Sequence, residues 1–373
     1  MKLEEIINCL SCPVSGEKLE IVDLSASSAN GALKLDLQAI PRIGGDAIPV
    51  GLTDRVLRTV SGSHAYPVIE EFAVLMAPEK LVNKEIFRGH PPIDLQDPKY
   101  AEAYEEMEFY NSVANEELNA QRIFDVMGLL ADFQDIPSIS ASFPNPADIW
   151  IDARHDSLSQ LEAYQYLTPF TDNNFLQIGG SGSHAVKALL AGASSALLMT
   201  PMIGEARFAT KLAEHFGVAD RLACVIGVGE ELPFADNSIN LAYSGGCFHH
   251  MQLENAASEL RRILKVGGKF SGVDPWKTVL HTIGTKVIGK REASVFCKPI
   301  TPERLAPLFV QFPGMTVSRH GPVLRYLFLA GEKLNIKFTT KTMMKIMDID
   351  DRVGRFFRIQ KKLGGSLVVA GTK

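Results

Sequence analysis

The chain has 373 residues, 46% of them hydrophobic and 22% charged, with a formal net charge of -5. That composition supports a full core, excludes a mini-protein or a disordered chain, and leaves no global positive field to attract nucleic acid or anionic lipid. The five cysteines, Cys9, Cys12, Cys224, Cys247 and Cys297, are scattered, and the start MKLEEIINCL lacks a basic segment followed by an apolar one. Both features point to a reduced, cytoplasmic protein. The longest apolar run, Ala185 to Met199, is interrupted by Lys187 and falls short of the roughly 20 residues of a membrane span. It reads as a buried helix running into a buried strand, and no membrane partner is expected.

Residues 1–80 read as a small β-rich module, because LEIVDL, LKLDLQAI and YPVIEEFAVLM are β-like runs punctuated by Gly, Ser, Asn and Pro. Residues 81–170 read as a helical linker or cap. Tyr100, Tyr104, Met107 and Tyr110 recur there at helical spacing, and SLSQLEAYQYL follows as a further helix. That tyrosine stripe packs on the main domain or, in the sharper reading, covers substrate through Tyr104. From residue 171 onward strands and helices alternate as βαβ units: FLQIG, a helix from about Ser183, SALLMT, a helix from Gly204 to Phe216, LACVIGV, INLAYSG, a helix from Leu253 to Leu264, and KFSGVD. Such alternation predicts a parallel, doubly wound sheet. Insertions are expected at 276–300 and 325–364, separated by the helix TPERLAPLF with Thr301 as its cap and a strand near MTVSRH; SLVVAGT would be the final strand. The second insertion carries Lys333, Lys337, Lys341, Lys345, Arg352, Arg355, Arg358, Lys361 and Lys362 between apolar positions. It is a solvated helical face or a lid over an acidic ligand.

The strand, glycine loop and helix in FLQIGGSGSHAVKALL carry the strongest local signal. Glycines let the backbone turn sharply and approach a ligand, and the following helix presents unpaired N–H groups. That loop, followed by GVGEELPFADNSINLAYSGGCFHHM and ELRRILKVGGKFSGVD, resembles the class I S-adenosylmethionine-dependent methyltransferases. Leu232, Phe234, Asp236, Ser238, His249, His250, Arg262, Leu264, Lys265, Gly267 and Gly268 carry the likeness. The resemblance implies a Rossmann-like seven-stranded sheet whose last strand is antiparallel, and S-adenosyl-L-methionine as cofactor. It places Gln177, Gly179, Gly180, Ser181, Gly182, Thr200, Val228, Gly229, Glu230, Ser244 and Gly245 at the cofactor, and Asp274 and Trp276 at the substrate crevice. His249 and His250, at the carboxyl end of a strand, are the candidate bases for a hydroxyl acceptor; a histidine there also commonly satisfies a backbone carbonyl.

Gln177, the run Leu198-Met199-Thr200, Val228 and Asn240 stand where the family places four acids. Glu205, Glu230 or Glu231 would substitute, or else serve as ordinary helix and loop acids. The segments CPVSGEKLEI and AYPVIEEFAVLM resemble a small zinc-ribbon-like domain, but Ser15, Thr59 and Gly62 stand at its other ligand positions, so no metal is expected. A dinucleotide fingerprint also fits Gly180 to Ala185, yet Thr200 is not the acid it asks for. The expectation is a methyltransferase acting on a small-molecule metabolite with an atypical cofactor pocket. The alternative is the same fold with donor binding lost, serving as a non-methylating enzyme or a binding or regulatory subunit. RNA methylation is disfavoured by the acidic balance, and a homo-oligomer or a partner protein stays open.

Overall fold

The computed structural model describes residues 1–23, 55–76, 110, 114, 156–280, 282–283, 298–327 and 340–373. Tyr100, Tyr104, Met107, Cys297, Lys333, Lys337 and the run LKLDLQAI lie outside them. The described strands are β1 (Leu19–Asp23), β2 (Arg55–Thr59), β3 (Ala65–Ile69), β4 (Phe72–Val74), β5 (Asn174–Ile178), β6 (Ser195–Thr200), β7 (Leu222–Ile226), β8 (Ile239–Gly245), β9 (Leu264–Pro275), β10 (Thr316–His320) and β11 (Ser366–Thr372). The helices are α1 (Leu3–Ile6), α2 (Ser157–Leu167), α3 (Ser183–Leu190), α4 (Ile203–His215), α5 (Leu253–Ile263), α6 (Pro302–Gln311), α7 (Thr340–Phe356) and α8 (Gln360–Leu363).

All these strands join one sheet in the order β1-β2-β3-β4-β7-β6-β5-β8-β9-β11-β10. The run β7-β6-β5-β8-β9 is parallel, and β11 runs antiparallel to both β9 and β10. This is the doubly wound, seven-stranded Rossmann-like sheet expected from the sequence, with SLVVAGT as its antiparallel strand. The parallel strands are apolar on both faces; β7, for example, is buried throughout, as a sheet covered by helices on each side requires.

The N-terminal strands continue that sheet. β4 pairs in parallel with β7, through Ala73 with Val225 and Val74 with Ile226. Residues 9–11 clasp the loop at 233–235, with the Ser11 N–H donating to Pro233 O at 3.1 Å and the Ala235 N–H to Cys9 O at 2.8 Å. Where the zinc-ribbon likeness wants thiolates, Thr59 hydrogen-bonds Ser63, Ser61 and His64, and the Cys12 thiol meets the Tyr66 hydroxyl at 3.1 Å. Hydrogen bonds among Thr59, Ser61, Ser63 and His64 occupy those positions, and ion pairs of Arg58 with Glu20 and of Arg55 with Glu4 and Glu71 add to the hold on this end.

Much of the segment that carries the methyltransferase likeness has a structural reason. The Arg262 guanidinium on α5 donates to the carbonyls of Leu232 and Phe234, each at 2.7 Å, and pairs with Asp236 at 2.8 Å and Glu259 at 2.7 Å. One fork-shaped cation thus satisfies a loop that has no ladder of its own. Asn240 and Asn174 exchange backbone-to-side-chain hydrogen bonds across the starts of β8 and β5, and Lys265 adds a third at 2.9 Å. Asn240 therefore fastens the amino ends of two strands, remote from the carboxyl-end crevice. α2 lies across β9 and β11, fixed by the Ser271 hydroxyl on Ala163 O at 3.0 Å and by Ser159 with Ser366 at 2.7 Å.

Candidate functional site

The sheet reverses its winding between β5 and β8, whose carboxyl ends lie side by side with Ile178 opposite Ser244. A crevice outside that switch point is where open α/β sheets bind ligands. A cavity of about 420 Å³ opens there. Gly179 and Gly180 after β5, Met199, Pro201 and Met202 around the end of β6, Glu205 on α4, Val228 to Glu230 after β7, and Gly245 to Cys247 after β8 supply its wall, together with His250, Met251 and Tyr110.

The glycine loop is shaped by packing as much as by dihedral angles. Gly179 has φ +73°, and a Cβ there would sit 2.4 Å from the Cys247 sulfur. Gly182 also has positive φ, and a Cβ there would lie 2.3 Å from Ala209 Cβ on α4. Its role is close helix packing, and it does not line the cavity. Burial, aided by the negative charges of Asp274 and Glu205, holds the Cys247 thiol well above its ordinary range, so it stays neutral.

Several expected cofactor residues take other roles. Gln177 is buried, with Oε1 accepting from the Ala185 N–H and Nε2 donating to Gly179 O, both at 2.8 Å. It caps the start of α3 and ties down the loop behind the cavity wall. Ser181, Thr200 and Ser244 do not line the wall either. Trp276, expected at the substrate crevice, is buried beneath the Arg319 guanidinium, which lies 3.8 Å from its ring centre. β10 brings Arg319 there, so the ring packs in the core. Glu230 reaches the wall, and its carboxylate accepts the Gln252 N–H at 2.9 Å, bracing the start of α5.

An acid stands on α4, about one helical turn past the end of β6. Thr200, completely buried, donates its hydroxyl to Glu205 Oε2, and the Glu205 carboxylate is buried in the cavity wall. A buried carboxylate is costly unless hydrogen-bonded, and the Thr200 hydroxyl supplies such a bond. The other acidic feature is Asp274, whose Oδ1 accepts from the His249 backbone N–H at 3.0 Å and faces His249 Nδ1 at 2.9 Å. The His249 and His250 rings are 3.9 Å apart, and His250 meets Tyr110 edge-on at 6.3 Å between centres. His250 lines the cavity, while His249 and Asp274 stand behind it. Arg304 on α6 fixes this turn by donating to His249 O at 3.1 Å and Met251 O at 3.0 Å.

Tyr104 lies outside the described residues. Cys247, Gly246 and Met251 were not singled out from the sequence, although they adjoin the histidine pair. Pro201 and Met202 follow Thr200 and carry no polar group that marks them as ligand contacts in the sequence. Among the described residues no cluster of His, Cys, Asp and Glu has the makings of a metal site.

Residues 176–272 match the Methyltransf_11 family model, described as a methyltransferase domain. A stretch of 100 residues is 35% identical to sterol 24-C-methyltransferase ERG6B of Gibberella zeae, covering 26% of this chain and 25% of that protein. The chain thus spans about a quarter of the length of the curated relative it matches. Among solved structures it is similar to geranyl diphosphate C-methyltransferase from Streptomyces coelicolor A3(2), at 16% identity and TM-score 0.45, over 58% of this chain and 78% of that one. It is also similar to phosphoethanolamine N-methyltransferase 2 of Haemonchus contortus, at 18% identity and TM-score 0.42, over 58% and 52%.

Proposed function

We propose that the chain is an S-adenosyl-L-methionine-dependent methyltransferase acting on a small-molecule metabolite, with a cofactor pocket whose acid comes from α4 instead of the end of β6. The observation that carries this reading is the Glu205 carboxylate, buried in the cavity wall and fixed by Thr200. It supports paired hydrogen bonds to the vicinal hydroxyls of a nucleoside. The pocket fits such a group in two further respects: Gly179 and Gly180 bring bare backbone to the wall, and Met199, Met202, Val228 and Met251 supply apolar surface.

The cofactor, when bound, supplies a methyl group on a sulfonium centre. The residues of the chain contribute position and dryness. Gly179 and Gly180 would hold the amino-acid portion, Glu205 the sugar, and Val228 with Met199 the base. The thioether and aliphatic walls exclude water, so a held nucleophile meets a competing solvent less often. A hydroxyl acceptor would pass its proton to the His250 imidazole in the wall, with His249 fixed behind it by Asp274. The sterol methyltransferase likeness, together with the apolar lining, favours an acceptor with a large hydrocarbon part.

Val228, standing where the family places an acid, favours the second reading, a fold that no longer binds the donor. Calorimetric titration with S-adenosylhomocysteine separates the two. Saturable binding is expected, with Glu205→Gln weaker by about 10- to 100-fold, the worth of one or two charge-assisted hydrogen bonds. No heat up to ligand concentrations of about 1 mM, a binding free energy weaker than roughly 4 kcal/mol, would leave the second reading standing.

A further inference from the structure

We propose that the exposed face of α7 docks the protein on an anionic lipid surface. Ile349, Val353 and Phe356 recur at four- and three-residue spacing along this 17-residue helix and are exposed, Phe356 by 80% and the adjoining Phe357 by 65%. The two phenyl rings stand edge to face, 5.1 Å between centres. Around them Lys345, Arg352, Arg355, Arg358, Lys361 and Lys362 are all exposed. Residues 340–363 hold seven lysines and arginines against three aspartates, in a chain whose net charge is -5. Of those aspartates, Asp348 pairs with Arg352 at 2.8 Å, and Asp350 and Asp351 are buried, Asp351 lying 3.8 Å from Arg355.

The helix is mounted rigidly for such a role. Asp351 pairs with His320 on β10, whose Nε2 in turn meets Glu162 on α2 at 2.8 Å. Asp350 accepts the Val323 and Leu324 N–H groups at 3.1 and 2.9 Å, fixing a turn that exposes Val323 and Leu327 beside the helix. A solvated helix face carries charge without exposed aromatics. A helix with aromatics on one strip and a basic rim lies instead in the headgroup layer, rings inserted and cations against phosphate. An isologous dimer through this face would set the basic rim against its own copy. No described helix is long and apolar enough to cross a membrane, and a surface-docked helix needs no span. The sequence expectation of no membrane partner rests on overall charge and the missing span, and the docking proposed for α7 departs from it on this local patch alone.

The test is co-sedimentation of the full chain with phosphatidylcholine vesicles, with and without phosphatidylserine, at physiological ionic strength. Binding is expected with phosphatidylserine and should weaken as salt rises. Phe356→Ser/Phe357→Ser should abolish it, and Arg358→Gln/Lys361→Gln/Lys362→Gln should reduce it by about 100-fold, roughly fivefold per cation. A Phe356→Trp chain guards against a misfolded variant, since the emission it adds to that of the native Trp150 and Trp276 should shift to the blue on phosphatidylserine vesicles. Absence of binding, equal binding to neutral vesicles, binding that survives both sets of substitutions, or unchanged Trp emission would each overturn the proposal. Concentration-dependent self-association lost in Phe356→Ser/Phe357→Ser would do so in favour of a second copy. None of these outcomes depends on methyl transfer.

Discussion

Asp274 holds His249 twice through one oxygen, its Oδ1 taking the backbone N–H at 3.0 Å and standing 2.9 Å from ring Nδ1. The backbone bond fixes where the residue is, and the ring bond fixes which nitrogen carries the proton. A carboxylate facing Nδ1 selects the Nδ1–H tautomer and leaves the lone pair on Nε2.

Asp274→Ala should therefore release His249 to its ordinary Nε2–H form. Nitrogen-15 NMR of the ring at mildly alkaline pH reads this directly; a spectrum identical to wild type would show that the carboxylate does not set the tautomer. Loss of two charge-assisted bonds should also lower the unfolding free energy by about 1–3 kcal/mol in urea titrations.

Gly179→Ala introduces two separate costs. The positive φ costs about 1–2 kcal/mol in any L-residue, and the new methyl overlaps the Cys247 sulfur, worth about 1–3 kcal/mol of overpacking. Adding Cys247→Gly should relieve the second cost and leave the first. A double-mutant cycle in chemical denaturation should show coupling of the order of 1 kcal/mol or more, whereas strict additivity would place the clash elsewhere.

The Glu162–His320–Asp351 cluster sets a pH window for the mount of α7. Burial works against the charged imidazole, but hydrogen bonds and charge from Asp351 and Glu162 outweigh it and raise the His320 pKa from 6.5 to about 9. Its contribution, on the order of 3 kcal/mol, is complete below pH 6.5 and disappears as pH rises through 9. Burial likewise opposes the charged carboxylates, yet hydrogen bonds from His320 to both leave the Glu162 and Asp351 values lowered. Their contribution is present above the ordinary carboxylate range and is lost on acidification below it. Thermal melts should show a plateau between the two limits, and His320→Asn should remove the alkaline decline.

A chelator should leave the melting temperature unchanged. Ser15, Thr59 and Gly62 offer no thiolate, and the Cys12 sulfur is already engaged with Tyr66. A drop in melting temperature with chelator, reversed by added zinc, would reveal a metal that these residues give no reason to expect.

Periodicity and turn chemistry made the doubly wound sheet readable, down to the limits of β11, because alternation and glycine punctuation are local signals. Long-range pairing was not readable. Nothing in FAV announces that it will extend the sheet beside β7, and nothing in DPWK announces that Arg319, some forty residues later, will close over Trp276. Glu205 was a bare candidate among three acids, since spacing alone placed it one helical turn past β6. Burial and the Thr200 hydroxyl distinguish it from Glu230, which braces α5. The basic run after Arg325 was legible as charge, but the outward aspect of Phe356 emerged only once Met347, Asp350 and Asp351 were seen to be buried.

Strand β11 lies between β9 and β10 although it follows both in sequence, and β10 finds its described ladder partner in β11. Residues 321–365 are therefore a long excursion whose two ends are clamped together, with His320 opposite Ser366. During synthesis, at roughly 5–20 residues per second, β10 has no described strand to pair with until β11 has been made. The basic, aromatic surface of α7 would thus be presented in its final orientation only by a chain whose sheet is closed. Attachment through it would select finished molecules over nascent ones.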